Sequence, residues 1–380
     1  MIEAGKSERR ARATRREASL SDFEQIADLK ERMGMRRDSI ENWRRLWQDN
    51  PAVLAANRAL PIGWVLESEG RVVGYLGSIP LLYLYGDREL FAAATCGFAV
   101  EPEYRAQALM LAAAFMKQPG VDLLLNTTAS ESAGMIFRSL GACPIPQENS
   151  DVALFWILDH HAFARFAMSR QGLKGSWSRL PEALIAIVSR VDTFFRRRAP
   201  RMRTDLGTYE CAVSQVNEDF SELWRMQADS KPRLRACRTA TMLRWHFEIP
   251  HSLRETQFIC CRKDEHLVGY VCVSSEVING TELRRSKVAD LFVLNDDVAV
   301  IEALLAAAYQ HARKAGSHVL EIIGFPQSIR RICAQGKPYR RRLPSWPFWY
   351  GVKGETLNAE LASKAAWYLT PYDGDTTLWP

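Results

Sequence analysis

The chain repeats itself. Val73-Gly74-Tyr75 returns as Val268-Gly269-Tyr270, Glu89-Leu90 as Glu282-Leu283, and Phe98-Ala99-Val100 as Phe292-Val293-Leu294. Leu111-Ala112-Ala113-Ala114-Phe115 returns as Leu305-Ala306-Ala307-Ala308-Tyr309. The offset stays near 194 residues throughout (292 − 98 and 305 − 111). Each string is common on its own, but their shared order and spacing identify a tandem duplication. A Trp-bearing helix before Pro51 and another with Trp245 before Pro250 extend the match. The 380 residues are therefore read as two copies of one unit.

Thr95–Gly141 gives the pattern inside a copy. Cys96–Val100 is a short apolar run of strand formers, and Glu101–Ala108 is a polar turn opening a helix. Ala108–Gln118 has strong helix propensity, with Gly120 as its stop. Val121–Asn126 reads as a buried strand and Ser132–Gly141 as a second helix. A helix that starts directly after a strand aims its first N–H groups outward, where they favour an anion. Upstream, 13–20 reads as a strand, Ser21–Glu24 as a capping box, and Ser39 onward as a helix ended by Pro51. Ile62–Glu67, Val72–Tyr85 and Leu90–Val100 read as strands, with Gly86-Asp87 as a hairpin turn. Ser150–Leu158 is expected to close the first sheet, and the aromatic run Trp346–Tyr350 the second.

This order and the turn after Val100 resemble the acyl-CoA N-acyltransferases of the GNAT superfamily, duplicated in tandem. The fold class implied is α/β, a mixed sheet flanked by helices in each of two GNAT-like domains. In that superfamily an (Arg/Gln)-x-x-Gly-x-(Gly/Ala) loop binds the CoA pyrophosphate. Arg105-Ala106-Gln107-Ala108-Leu109-Met110 matches at Arg105 and departs at Ala108 and Met110. Ser130–Gly141 resembles the second conserved helix, with Phe137 where a Tyr often serves as general acid. The resemblance implies that Gly97–Val100 splays from Leu123–Asn126 and pairs with the pantetheine arm. A backbone N–H near Phe98 or Val100 would polarise the thioester. Glu89 begins the relevant strand and is the carboxylate best placed to take the amine proton, unless it is only a hairpin surface residue. Asn126, at the end of the splayed strand, would orient CoA or substrate.

The copies differ at the turn. Glu101–Ala108 aligns with Asn295–Glu302, Arg105 has no counterpart, and Asp296 and Asp297 stand where a phosphate needs donors. Carboxylates there repel phosphate, so the second copy is expected not to bind CoA. The domains are accordingly a basic arm at 1–12, a GNAT-like domain at 13–159, a basic helical linker at 160–206, a degenerate GNAT-like domain at 207–352 and a tail at 353–380. The linker holds ten Lys/Arg against three acids and an apolar helical stripe from Leu184 to Phe195. It is read as a packed connector, with an anionic membrane surface bound through 184–203 as the sharper alternative. Arg330–Arg342 contains no acid and is either a solvated face or an anion-binding rim. Asp373 and Asp375 form a turn or a weak metal or substrate site.

A net charge of +6 is modest, which argues against nucleic acid but allows an acidic ligand. The eight cysteines lack zinc-ligand spacing and read as reduced thiols; no metal is expected. No apolar leader or spanning run is visible, so the expected location is cytoplasmic, or peripheral at the membrane. The function expected is N-acyl transfer, with acetyl-CoA or another acyl-CoA as donor and an amine of a small molecule, sugar or peptide as acceptor. Two alternatives stay open: a non-catalytic binding or scaffold protein of the same fold, and a tandem aminoacyl or peptidyl transferase acting on cell-envelope precursors.

Overall fold

A computed structural model of the chain describes residues 12–56, 60–170, 179–201, 205–227, 231–278, 281–343 and 348–379. The basic arm at 1–12 lies outside them except for Arg12, as does part of the linker.

The first half runs β1 (Thr14–Glu17), α1 (Phe23–Arg32), α2 (Ile40–Trp47), α3 (Pro51–Ala56), β2 (Gly63–Ser68), β3 (Arg71–Tyr85), β4 (Arg88–Val100), α4 (Ala108–Lys117), β5 (Leu123–Asn126), α5 (Glu131–Ser139) and β6 (Cys143–Pro144). Next come β7 (Val152–Ile157), α6 (His160–Arg170) and α7 (Arg179–Arg196). The second half runs β8 (Thr208–Ala212), α8 (Glu218–Met226), β9 (Leu234–Ala236), α9 (Ala240–Phe247), β10 (Glu255–Lys263), β11 (His266–Val277), β12 (Arg284–Val293), α10 (Val298–Lys314), β13 (Val319–Ile322) and α11 (Gln327–Gln335). β14 (Tyr339–Arg342), β15 (Trp349–Val352) and α12 (Glu355–Leu361) follow. Both halves thus share one order: a strand, helices, three antiparallel strands, a helix, a parallel strand and a helix.

Two local expectations are corrected. The box before α1 is Ser19 with Asp22, not Ser21 with Glu24: the Ser19 N–H donates to Asp22 Oδ2 at 2.7 Å. Glu24 is drawn instead to Arg37, at 2.6 Å. Pro51 does not merely end α2; it opens α3, where a missing N–H costs nothing.

The chain forms two compact units, 1–82 with 90–145 and 348–358, and 83–89 with 146–347 and 359–380. In the first, the sheet order is β1-β2-β3-β4-β5-β15-β6. Its core gathers Trp64, Leu66, Val73, Leu111, Phe115 and Phe137 between the sheet and α4 and α5. In the second, the order is β14-β7-β13-β12-β11-β10-β8.

The closing strands are exchanged relative to the sequence reading. β7, expected in the first sheet, pairs antiparallel with β13, Val319 facing Ile157. β15, expected in the second, pairs antiparallel with β5, Trp349 facing Asn126. Both are apolar runs suited to the same slot beside the parallel strand, so hydrophobic pattern cannot assign them. Side-chain fit does. Gly134 on α5 leaves the space that the Trp349 indole fills, and a Cβ there would lie 2.6 Å from Trp349 Nε1. Trp156 of β7 donates through Nε1 to the Gly336 carbonyl at 3.0 Å.

Nor is 353–380 a loose tail. Trp367, Tyr368, Leu369, Tyr372 and Leu378 are buried in the second unit. Asp373 is fully buried, with Oδ2 3.6 Å from Arg238 Nη2. Arg238, itself fully buried, also holds Asp290 at 3.0 Å through Nε and Nη2. Burial pushes the Asp373 carboxyl up to about 6, against the pull of Arg238. This carboxylate anchors a strap, and no metal cluster occurs among the described residues.

Candidate active site

β4 and β5 run parallel and pair at Ala92–Leu123, Ala93–Leu124 and Ala94–Leu125. There the pairing stops. Three residues on, Gly97 has φ +61°, a conformation that L side chains avoid. The strand therefore kinks at Gly97 and its last residues leave β5 behind. Asn126, buried at the end of β5, faces Trp349 on the other side. Thr95–Val100 therefore continues past the last β4–β5 pair, and β5 itself ends at Asn126.

The loop after β4 is anchored from both ends. The Glu101 N–H donates to the Val73 carbonyl at 2.9 Å. The buried Glu101 carboxylate receives Arg71 through Nη1 and Nη2 at 2.8 Å each and Arg32 through Nη2 at 2.9 Å. Pro102–Gln107 forms a 3₁₀ turn that runs into α4. Ala108 buries its methyl in the core, so the departure from Gly there does not crowd the loop's outer side. Arg105 and Ala106 are exposed, as are Leu109 and Met110. Gln107 accepts the Ala13 N–H at 3.0 Å, tying the loop to the start of β1. The Gln107 side chain does not cap α4.

The corresponding end in the second unit is closed. Asp297 caps α10, accepting from Ala299 N at 2.8 Å and Val300 N at 3.3 Å, and pairs with Lys263 at 2.7 Å. Asp296 pairs with Arg233 at 2.7 Å. Carboxylates occupy the donors that a phosphate would need. Leu291 is the counterpart of Gly97, and its carbonyl accepts from the Tyr368 hydroxyl at 2.6 Å. Thr370 Oγ1 donates to Asp290 at 2.7 Å beside it. The chain's own strap is thus bonded to this part of β12.

Phe98 and Val100 lie on the splayed segment. Phe98 meets Phe137 edge to face at 6.2 Å, and Phe137 meets Phe115 at 6.1 Å. Phe137 is a core ring. Glu89 is not at the site: it is exposed at the hairpin end of β4, the far end from the split. Its position in sequence beside the strand misled, because a strand of this length carries its two ends far apart.

Sequence reasoning missed the polar groups that do border the kink. Lys30 and Asp38, both buried, form an ion pair. A Cβ at Gly97 would lie 3.6 Å from Lys30 Nζ and 3.3 Å from the Tyr75 ring. Burial raises the Tyr75 hydroxyl well above its ordinary range and keeps it protonated. A signal existed: Lys30 continues the apolar face Phe23, Ile26, Ala27 at helical spacing, an unusual place for a cation.

No family model matches the chain. No curated protein matches it in sequence. Solved structures do match. A GCN5-related N-acetyltransferase from Anabaena variabilis superposes with a TM-score of 0.57 at 12% identity, covering 92% of this chain and 74% of that one. A probable N-acyltransferase from Enterococcus faecalis gives 0.56 at 9% identity, over 90% and 73%. A GCN5-related N-acetyltransferase from Kribbella flavida gives 0.53 at 13% identity, over 92% and 72%. The fold is the GNAT fold, and it extends across both units.

Proposed function

We propose that the first unit transfers an acyl group, acetyl in the simplest case, from CoA to an amine, and that the second unit is a non-binding copy. The observation that carries this reading is the contrast between the copies: β4 turns at Gly97 and leads to an exposed Arg105 before a helix that Gln107 does not cap in one, while in the other the strap is bonded to β12 and Asp297 caps the helix. In this reading, residues 105–110 hold the pyrophosphate through loop N–H groups and the Arg105 charge. The freed backbone of Phe98–Val100 takes the pantetheine arm as an added strand and polarises the thioester carbonyl. Asn126 orients the thioester from the other lip. The amine attacks the carbonyl carbon, the C–N bond forms and the C–S bond breaks. Phe137 has no proton to give, but a thiol of pKa about 8.5 is a fair leaving group near neutral pH without an acid. The amine's proton goes to Asp38, directly or through water, with Lys30 holding that carboxylate in place.

The test is thermal denaturation with acetyl-CoA. A ligand at about 100 times its Kd stabilises by about 2.7 kcal/mol, so millimolar acetyl-CoA raises Tm and Arg105→Glu removes the rise. No shift with any CoA thioester would sink the enzyme reading; a shift without turnover on a panel of amines would favour a binding protein instead.

A second reading concerns attachment. α7 exposes Leu184, Ile187, Val188, Val191, Phe194 and Phe195 on one stripe, with Phe194 and Phe195 77% and 78% exposed. Arg190, Arg196 and Arg197 are exposed beside it. An apolar stripe flanked by cations suits the interface of an anionic membrane. Among the described residues no helix is long and apolar enough to cross one.

A further inference from the structure

The second unit carries a basic cavity of about 440 Å³ on α11, β7 and β14. Helical spacing puts Gln327, Arg330, Arg331 and Ala334 on one face of α11, which forms one wall. Val152 and Leu154 of β7 add an apolar wall, and their cross-strand partners Arg342 and Arg340 line it beside them.

The cations of this cavity are short of partners. Arg330 is 6% exposed and its Nη1 is buried with no hydrogen-bond partner among the described residues. Arg331 and Arg340 are exposed and have no ion-pair partner there either. The nearest carboxylates are engaged: Glu321 holds Arg341 at 2.9 Å, Asp151 lies 3.7 Å from Arg342, and Glu148 is bonded to Lys364. Burial lowers the Arg330 guanidinium's affinity for its proton and the Arg340 charge adds to this, while Cys333 and Asp151 oppose it in part. A desolvated cation facing like charges is unfavourable unless a counter-ion enters.

We propose that this cavity binds a small molecule bearing two or more phosphoryl charges, such as a diphosphate or nucleoside diphosphate. Three unpaired guanidinium groups call for at least a divalent anion, and their planar forks match phosphate oxygens in pairs. The volume suits a nucleotide-sized ligand. The site shares no residue with the loop after β4, so it stands or falls apart from acyl transfer.

The test uses the full chain, with inorganic pyrophosphate and ADP as probes against sodium chloride at matched ionic strength, read by thermal shift and titration calorimetry. Pyrophosphate is expected to raise Tm where chloride does not. Arg331→Ala with Arg340→Ala, both exposed and so compatible with folding, should weaken binding by about tenfold or more through loss of charge-assisted contacts. Arg330→Met should leave the unliganded Tm unchanged or higher, because an unpaired buried charge is removed, and should abolish the pyrophosphate shift. Absence of a shift in the native chain, or an undiminished shift in both variants, overturns the proposal. Phosphatidylcholine vesicles carrying phosphatidylinositol bisphosphate form a further arm: binding that pyrophosphate competes away and Arg331→Ala/Arg340→Ala abolishes assigns the phosphate to a lipid headgroup, and binding that survives both counts against the site.

Discussion

Lys30 and Asp38 illustrate how much a single buried pair decides. Neither charge is tolerable alone in the core beside Gly97. Asp38→Asn removes one partner of this buried ion pair, a loss of about 3–5 kcal/mol. Removing both charges, Lys30→Met with Asp38→Asn, is expected to cost much less, because no uncompensated ion remains. Denaturant melts of the two variants check this. Release of free CoA thiol measures turnover: both variants should lose it while acetyl-CoA still raises their Tm. Native turnover in the double variant would remove Asp38 from the mechanism.

At the scale of elements, α7 is the anomaly. Most helices here bury their apolar face; α1 buries Phe23, Ile26, Ala27 and Leu29. α7 turns a whole stripe outward instead. If that stripe meets an anionic bilayer, the native chain should co-sediment with phosphatidylglycerol vesicles and come off as salt is raised. Phe194→Ser with Phe195→Ser should abolish sedimentation without lowering Tm, since these rings are already in water. Sedimentation that persists in this variant would point away from the helix. The N-termini of α4 and α10 make the opposite comparison. The two helices begin differently: Asp297 caps α10 through its side chain, and Gln107 does not cap α4.

For the molecule as a whole, the exchange of β7 and β15 means that neither half of the sequence contains a complete sheet. A fragment ending at residue 159 carries β7 without β13 and lacks β15, leaving the β5 edge and the Gly134 groove uncovered. Such an edge is prone to aggregate. The fragment is therefore expected to melt without cooperativity or to precipitate, and to bind no acetyl-CoA. A soluble, cooperatively folding 1–159 with a CoA-dependent Tm would show that β15 is dispensable.

The order of elements, the duplication and the loss of the loop cation in the second copy were all legible in the sequence, because periodicity, propensity and charge act over a few neighbouring residues. The turn from Glu101 into the helix at Ala108 could be read for the same reason. Glu89 could not be excluded, nor Lys30 and Asp38 found as a pair, since which side chains surround Gly97 depends on helices packed from elsewhere in the chain. The sheet membership of β7 and β15 is equally invisible: two apolar strands of similar pattern compete for two similar slots, and only the fit of Trp349 over Gly134 and of Trp156 against Gly336 separates them. Likewise, Asp373 is a turn residue by sequence and a buried anchor by structure, because its partner Arg238 lies 135 positions away (373 − 238). Local physics wrote the elements; the packing of distant side chains decided which sheet each strand completes and where the C-terminal strap is anchored.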